Sequence, residues 1–302
     1  MPNATPVSMA LDGAPVPAGS VSPGRIASFL RRDPAFAAAA ITLFVVAVAG
    51  ILAPVLAPYD PAQLIDASAR AQPPSAEHWL GTDPLNRDLL SRILYGARIS
   101  LGISLVAVTL ATIVGTAWGA AAGYAGGWVD ALLMRIVDAG LAIPRILLLL
   151  SVVAFWGRLT IPAIVLLLGM TGWFAASRLA RDSVRATREQ DFVLAARATG
   201  ASPARVLVRH ILPHAMTPML VAATLGVGQV IVVEAGLSFL GYGVAPPAAT
   251  WGGLIRDGRE VIATAWWMSV FPGLALAITV LAINVLGDRL RAAMGGTQVP
   301  AP

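Results

Sequence analysis

The chain has 302 residues, 57% of them hydrophobic and 12% charged, with a mean hydropathy of +0.75. Soluble domains carry roughly 25% charged residues, so water is not the only solvent for this chain. All 21 basic residues are arginine, which excludes a lysine-dependent phosphate-binding loop, and the absence of cysteine excludes disulfides, thiolate nucleophiles and cysteine metal sites.

Residues 1–33 are rich in Ala, Pro, Ser and Gly, lack an apolar face and read as a disordered cytoplasmic tail. Arg31 and Arg32 then precede an apolar run at 36–56, which predicts a first transmembrane helix over 34–57. At 1.5 Å per residue this run crosses a hydrocarbon core of roughly 30 Å. A cleaved signal peptide has the same order of flank and run, but its apolar region is only about 7–15 residues long.

Residues 58–97 contain Pro58, Pro61, Pro73, Pro74 and Pro84 and read as an external, periplasmic segment. Further apolar runs at 100–123, 131–155, 162–180, 218–240 and 266–286 form a five-helix core over 98–290, and 291–302 is a second cytoplasmic tail. The chain is therefore expected to be an all-α polytopic membrane protein with six transmembrane helices.

Charge orients it. The loop at 181–217 carries Arg181, Arg185, Arg188, Arg197, Arg205 and Arg209 against Asp182, Glu189 and Asp191, as a cytoplasmic loop should. The 58–97 segment reverses the balance, with Arg70, Arg87 and Arg92 against Asp60, Asp66, Glu77, Asp83 and Asp88. A pI near 10.6 thus reflects topology, and no nucleic-acid partner is expected.

The 181–217 loop reads as two short helices with a break. Asp191 caps the first, Gly200 takes a left-handed position past its end, Ser202 and Pro203 restart the chain, and Pro213 stops the second. Small Ala195, Ala196 and Ala198 permit close approach of a partner, and Arg197, Arg205 and Arg209 can pair with its carboxylates. The competing reading is an amphipathic helix lying on anionic membrane lipid.

Ala195, Ala196, Gly200, Leu212 and Pro213 make this loop resemble the signature of the inner-membrane permeases of ABC importers. Leu194 and His210 depart from the general pattern, and the AARATGAS and RHILPHA stretches are similar to the dipeptide, oligopeptide and nickel branch. Two further segments resemble that branch, HWLGTDPLNRDLLSRILYGARISL at 78–101 and EAGLSFLGYGVAPPAATWGGLI at 234–255. Asn86 stands where the branch usually has Gly, and Asn tolerates the left-handed region best after Gly.

The resemblance implies the type I ABC importer permease fold, with a coupling loop formed by Ala195, Ala196, Arg197, Gly200, Ser202, Arg205, Arg209, Leu212 and Pro213. It also implies two ATP-binding subunits that use ATP and Mg2+, a homologous second permease subunit, and a periplasmic or lipid-anchored solute-binding protein. Peptides or peptide-like solutes are the implied cargo, and similar permeases handle nickel chelates, glutathione or opines. A stand-alone secondary transporter is the reading from a different class. No catalytic residue and no cofactor of the chain's own is expected.

Two charged residues at membrane depth are candidates for the pathway or outer gate. Glu234 lies about 24 Å past Pro218 and either binds solute or accepts hydrogen bonds from the irregular segment beyond Gly236. Arg145 follows Pro144, which can bend the helix and aim the guanidinium at the pathway. Arg135 and Asp138, three apart, are expected to pair on one helix face. His210 and His214 have zinc-like spacing but no acidic third ligand adjoins them, so no metal is expected. Gly115, Gly119 and Gly123 have helix-packing spacing.

Overall fold

The computed structural model describes residues 31–63, 71–156 and 159–295. The tail readings at 1–30 and 296–302, together with Asp66 and Arg70 of the outer segment, lie outside the described residues.

Helix α1 (Pro34–Ile51) starts where Asp33 Oδ1 accepts the N–H groups of Ala35 and Phe36 at 3.0 and 3.2 Å, with Pro34 at the first helical position. The short α2 (Ala53–Leu56) follows. Helix α3 (Leu89–Ala125) has 37 residues, about 55 Å of helix, and begins well before the 97/98 boundary read from hydropathy. Its first turn is capped by Asp88, and Arg92, buried in that turn, pairs with Asp83.

The expected third span is two helices, α4 (Gly127–Ala142) and α5 (Arg145–Trp156), bent by 80°. Pro144 causes the bend, since the residue before a proline is driven out of the helical region and Ile143 sits at φ −89°, ψ 124°. Helix α6 (Ile161–Arg188) then packs along α3.

Four glycines define that packing. A Cβ built on Gly169 would meet the Ala107 carbonyl at 3.1 Å, one on Gly115 the Ala176 Cβ at 2.6 Å, one on Gly119 the Ser177 carbonyl at 2.1 Å, and one on Gly123 the Arg181 carbonyl at 2.6 Å. Residue numbers rise together on both helices, so α3 and α6 run parallel. The intervening chain must return to the starting side, which makes the bent α4–α5 pair one complete crossing. The spacing of Gly115, Gly119 and Gly123 does the packing expected of it.

Beyond α6 come α7 (Asp191–Ala198) and the single turn α8 (Pro203–Arg205). A π-helical stretch, Val206–Ile211, leads directly into α9 (Leu212–Phe239). Pro213 therefore does not stop a helix. It has no N–H to donate, and the wider π turn before it accommodates both the missing donor and the ring. Helix α10 (Trp251–Arg259) lies between the apolar runs read at 218–240 and 266–286, and α11 (Trp267–Gly295) completes the bundle.

Asp33 at the start of α1 pairs with Arg289 near the end of α11 at 3.3 Å. Arg188 at the end of α6 donates to the Tyr124 carbonyl at the end of α3 at 2.7 Å. The main buried cluster joins α3, α5, α6 and α9 through Ile103, Ala107, Leu149, Val153, Ile164, Leu168, Val230 and Leu237.

Candidate functional site

The α7–α8 turn is built from its backbone outward. Gln190, not Asp191, is the N-cap, and Asp191 is the first helical residue, where its charge complements the helix dipole. At the other end Gly200 adopts φ +83°. Its N–H donates to the Arg197 carbonyl at 2.9 Å, and the Ala201 N–H donates to the Ala196 carbonyl at 3.1 Å. These two bonds are a Schellman motif, which needs the left-handed residue that glycine supplies. Ser202 Oγ then accepts from the Arg205 N–H at 3.4 Å, with Pro203 at the first helical position.

Side chains sort by face. Val193 is fully buried against Val184, Val206, Ile211, Ala215 and Ala120, so α7 is anchored to the bundle by its inner side. Leu194, Ala195, Arg197, Gly200, Ser202, Arg205 and Arg209 are exposed, Ala196 is half-buried, and Arg197 lies 5.7 Å from the Tyr124 ring centroid. Leu212 is half-buried and Pro213 exposed at the start of α9. The result is a knob with small residues and three guanidinium groups outward.

Ion pairs brace the base of this knob. Arg181 donates to both oxygens of Asp130, from Nε at 2.7 Å and Nη2 at 2.5 Å, tying α4 to α6. Asp138 pairs with Arg178 of α6 at 2.5 Å rather than with Arg135, because the α4–α6 contact brings a cation closer than the helix's own. His214 Nδ1 lies 2.9 Å from the His210 carbonyl and its ring stacks on Phe192, 4.7 Å between centroids. Among the described residues no cluster of three or more metal-ligating side chains occurs.

The opposite end is closed by a buried polar knot. Asp83 Oδ1 accepts the N–H groups of Leu85 and Arg87 at 2.9 Å each, while Oδ2 accepts from Arg87 Nε at 2.7 Å and from Arg92. Asp88 Oδ2 accepts from the Ser91 N–H and hydroxyl at 2.8 and 2.7 Å, and Oδ1 lies 3.0 Å from His78 Nδ1. Asn86 takes φ +53°, the left-handed conformation expected of it. Trp251 of α10 is buried here, its indole N–H donating to the Ile93 carbonyl at 3.1 Å.

Glu234 sits one and a half turns before the end of α9 and is 1% exposed. Its Oε1 accepts from the Ser238 hydroxyl at 2.6 Å, and Ser238 adjoins Thr250, the N-cap of α10, at 3.3 Å. Its Oε1 thus links the end of α9, through Ser238, to the cap of α10.

Arg145 stands differently. At the bend between α4 and α5, it donates to the Leu168 carbonyl at 3.0 Å and to Thr171 Oγ1 at 3.4 Å. It borders two cavities of about 300 and 290 Å³, both also lined by Gly172, Ala175 and Gln229. The larger lies between α3, α6 and α9 and reaches Arg291 on α11. Residue-by-residue reading missed Gln229, although a single amide inside the 218–240 run was a signal of the same kind as Glu234.

Five long apolar helices and one bent pair, with cavities between them and a knob at one end, define a multi-pass membrane protein. The family model described as "Binding-protein-dependent transport system inner membrane component" matches residues 115–295, and "N-terminal TM domain of oligopeptide transport permease C" matches residues 22–74. The chain belongs to the binding-protein-dependent permeases of ABC transporters. It is 43% identical over 227 residues to the dipeptide transport system permease protein DppC of Alkalihalophilus pseudofirmus, covering 75% of this chain and 74% of that one. It is 39% identical over 266 residues to the glutathione transport system permease protein GsiD of Pectobacterium atrosepticum, covering 88% of each. A chain of the MetNI methionine ABC transporter, solved in inward-facing conformations, shares the fold with a TM-score of 0.57 at 20% identity, covering 67% of this chain and 96% of that one.

Proposed function

We propose that this chain is one of two homologous permease subunits lining the pathway of an ATP-driven importer for peptides or peptide-like solutes. The observation that carries the reading is the α7–α8 knob, anchored by Val193 and presenting Ala195, Ala196, Arg197, Arg205 and Arg209 around the Gly200 turn. A socket on an ATP-binding subunit grips such a knob by close approach to the alanines and by pairing carboxylates with the arginines. Movement of the socket during the ATP cycle then transmits force to α6 and α9, the two helices that flank the knob. Both termini and the knob face the cytoplasm. A solute-binding protein docks on the opposite end, and the chemistry of ATP and Mg2+ belongs to the ATP-binding subunits.

The dipeptide relative supports peptides as cargo, and the glutathione relative, which aligns over a longer stretch, supports a peptide-like solute with free carboxylates. The natural lack of cysteine makes the test direct. With Ala195→Cys, a short thiol crosslinker should join the chain to an ATP-binding subunit carrying a surface cysteine in its groove. Trp79→Cys, an exposed position at the other end, should not crosslink. Crosslinking at Trp79→Cys, or none at Ala195→Cys in the assembled complex, would overturn the assignment.

A further inference from the structure

The larger of the two cavities at Arg145 is lined by 17 residues, of which the charged ones are Arg145 and Arg291. The smaller is lined by 11 residues and Arg145 is its charged one. Neither lining contains Asp or Glu. Among the described residues no carboxylate pairs with Arg145. A guanidinium has five N–H donors, and here two are engaged, both by neutral oxygens of α6. A charge held at membrane depth without a counter-ion is costly, and such residues mark solute pathways.

Depth fits a pathway role. Arg145 reaches Leu168 and Thr171, seven to ten residues into α6 from its first residue, Ile161, roughly 10–15 Å along its axis. Arg291 lies near the far end of α11, so the two cations mark a cavity leading from mid-depth toward the knob end. Gln229 adds an amide beside Arg145 in both cavities, able to donate to an anion or accept from an amide.

We propose that Arg145, assisted by Gln229, is the specificity residue that recognises the free carboxylate of the travelling solute, with Arg291 drawing it onward. This rests on the importer reading above and names the chemical feature selected within the pathway. The guanidinium offers planar bidentate donors to a carboxylate, and neither cavity lining holds an acid that would compete for them.

The test compares uptake of alanyl-alanine and its C-terminal amide by the complete importer reconstituted in proteoliposomes. The acid-to-amide uptake ratio of each variant is divided by that of the unaltered importer, so discrimination by the shared solute-binding protein cancels. Arg145→Gln should lower the ratio about tenfold, the loss of one charge-assisted hydrogen bond. Arg145→Lys should retain part of the preference, and Gln229→Leu should lower it several-fold. An unchanged ratio in Arg145→Gln, with all subunits co-purifying, would overturn the assignment. If that variant fails to assemble, unchanged ratios in both Arg145→Lys and Gln229→Leu overturn it instead. Uptake of neither peptide nor of glutathione by the unaltered importer would sink the peptide reading and this inference together, and an unchanged ratio sinks the inference alone.

Discussion

Replacing Gly200 by valine should uncouple the knob from whatever grips it while leaving the bundle intact. Gly200 sits at φ +83°, and a Cβ placed there meets nothing within 4 Å. The cost is therefore conformational alone, about 1–2 kcal/mol for an ordinary L-residue in the left-handed region. A β-branched residue lies at the upper end of that range. The Schellman bonds from Gly200 and Ala201 back to Arg197 and Ala196 depend on this conformation, so the penalty falls on the population of correctly formed knobs. A change of 1–2 kcal/mol shifts an equilibrium constant by roughly 5–30-fold, so an evenly balanced turn loses roughly 3–15-fold of its formed fraction. Solute-stimulated ATP hydrolysis by the assembled importer should fall on that scale in Gly200→Val and less in Gly200→Ala. It should stay near normal in Gly200→Asn, because Asn visits this region at small cost. Equal activity in the valine and glycine proteins, or equal losses for Asn and Val, would refute a left-handed turn as the basis of coupling.

Three further substitutions test the bundle. Gly119→Ala brings a Cβ to 2.1 Å from the Ser177 carbonyl and must push α3 from α6, at about 1–3 kcal/mol. Gly102→Ala on the same helix meets nothing within 4 Å and should leave the melting midpoint in mild detergent unchanged or raised, so equal midpoints for the two proteins would contradict the packing. Asp83→Ala leaves Arg87 and Arg92 buried without that carboxylate, a loss of about 3–5 kcal/mol. It should sharply reduce the yield of folded protein after detergent extraction, and a normal yield with a normal melting midpoint would show that the knot is not structural.

The spans were legible because hydrophobic length is set by bilayer thickness, and the knob because Gly200, Ser202 and Pro203 each act within a few residues of themselves. What escaped the sequence came from contacts between distant segments. The partner of Asp138 is Arg178, forty positions away, so a rule about neighbours on one helix chose Arg135. Arg92 looked like loop because its counter-ion, Asp83, is brought close only by the turn through Asn86. Pro213 read as a stop because the π stretch before it has no local signature. The bend at Pro144 was written in the sequence, but its size, 80°, was not. Both roles considered for Glu234 are consistent with its depth, and only the fold shows that Ser238 and the α10 cap enclose it.

The central claim, that this permease moves peptide-like solutes only when driven by ATP-binding subunits, is tested most directly by transport. Proteoliposomes should be loaded with the complete importer or with the permease chains alone, and given labelled dipeptide. Uptake that requires ATP, the ATP-binding subunits and the solute-binding protein together is the predicted result. Uptake by the permease chains alone, driven by a proton or sodium gradient, would contradict it.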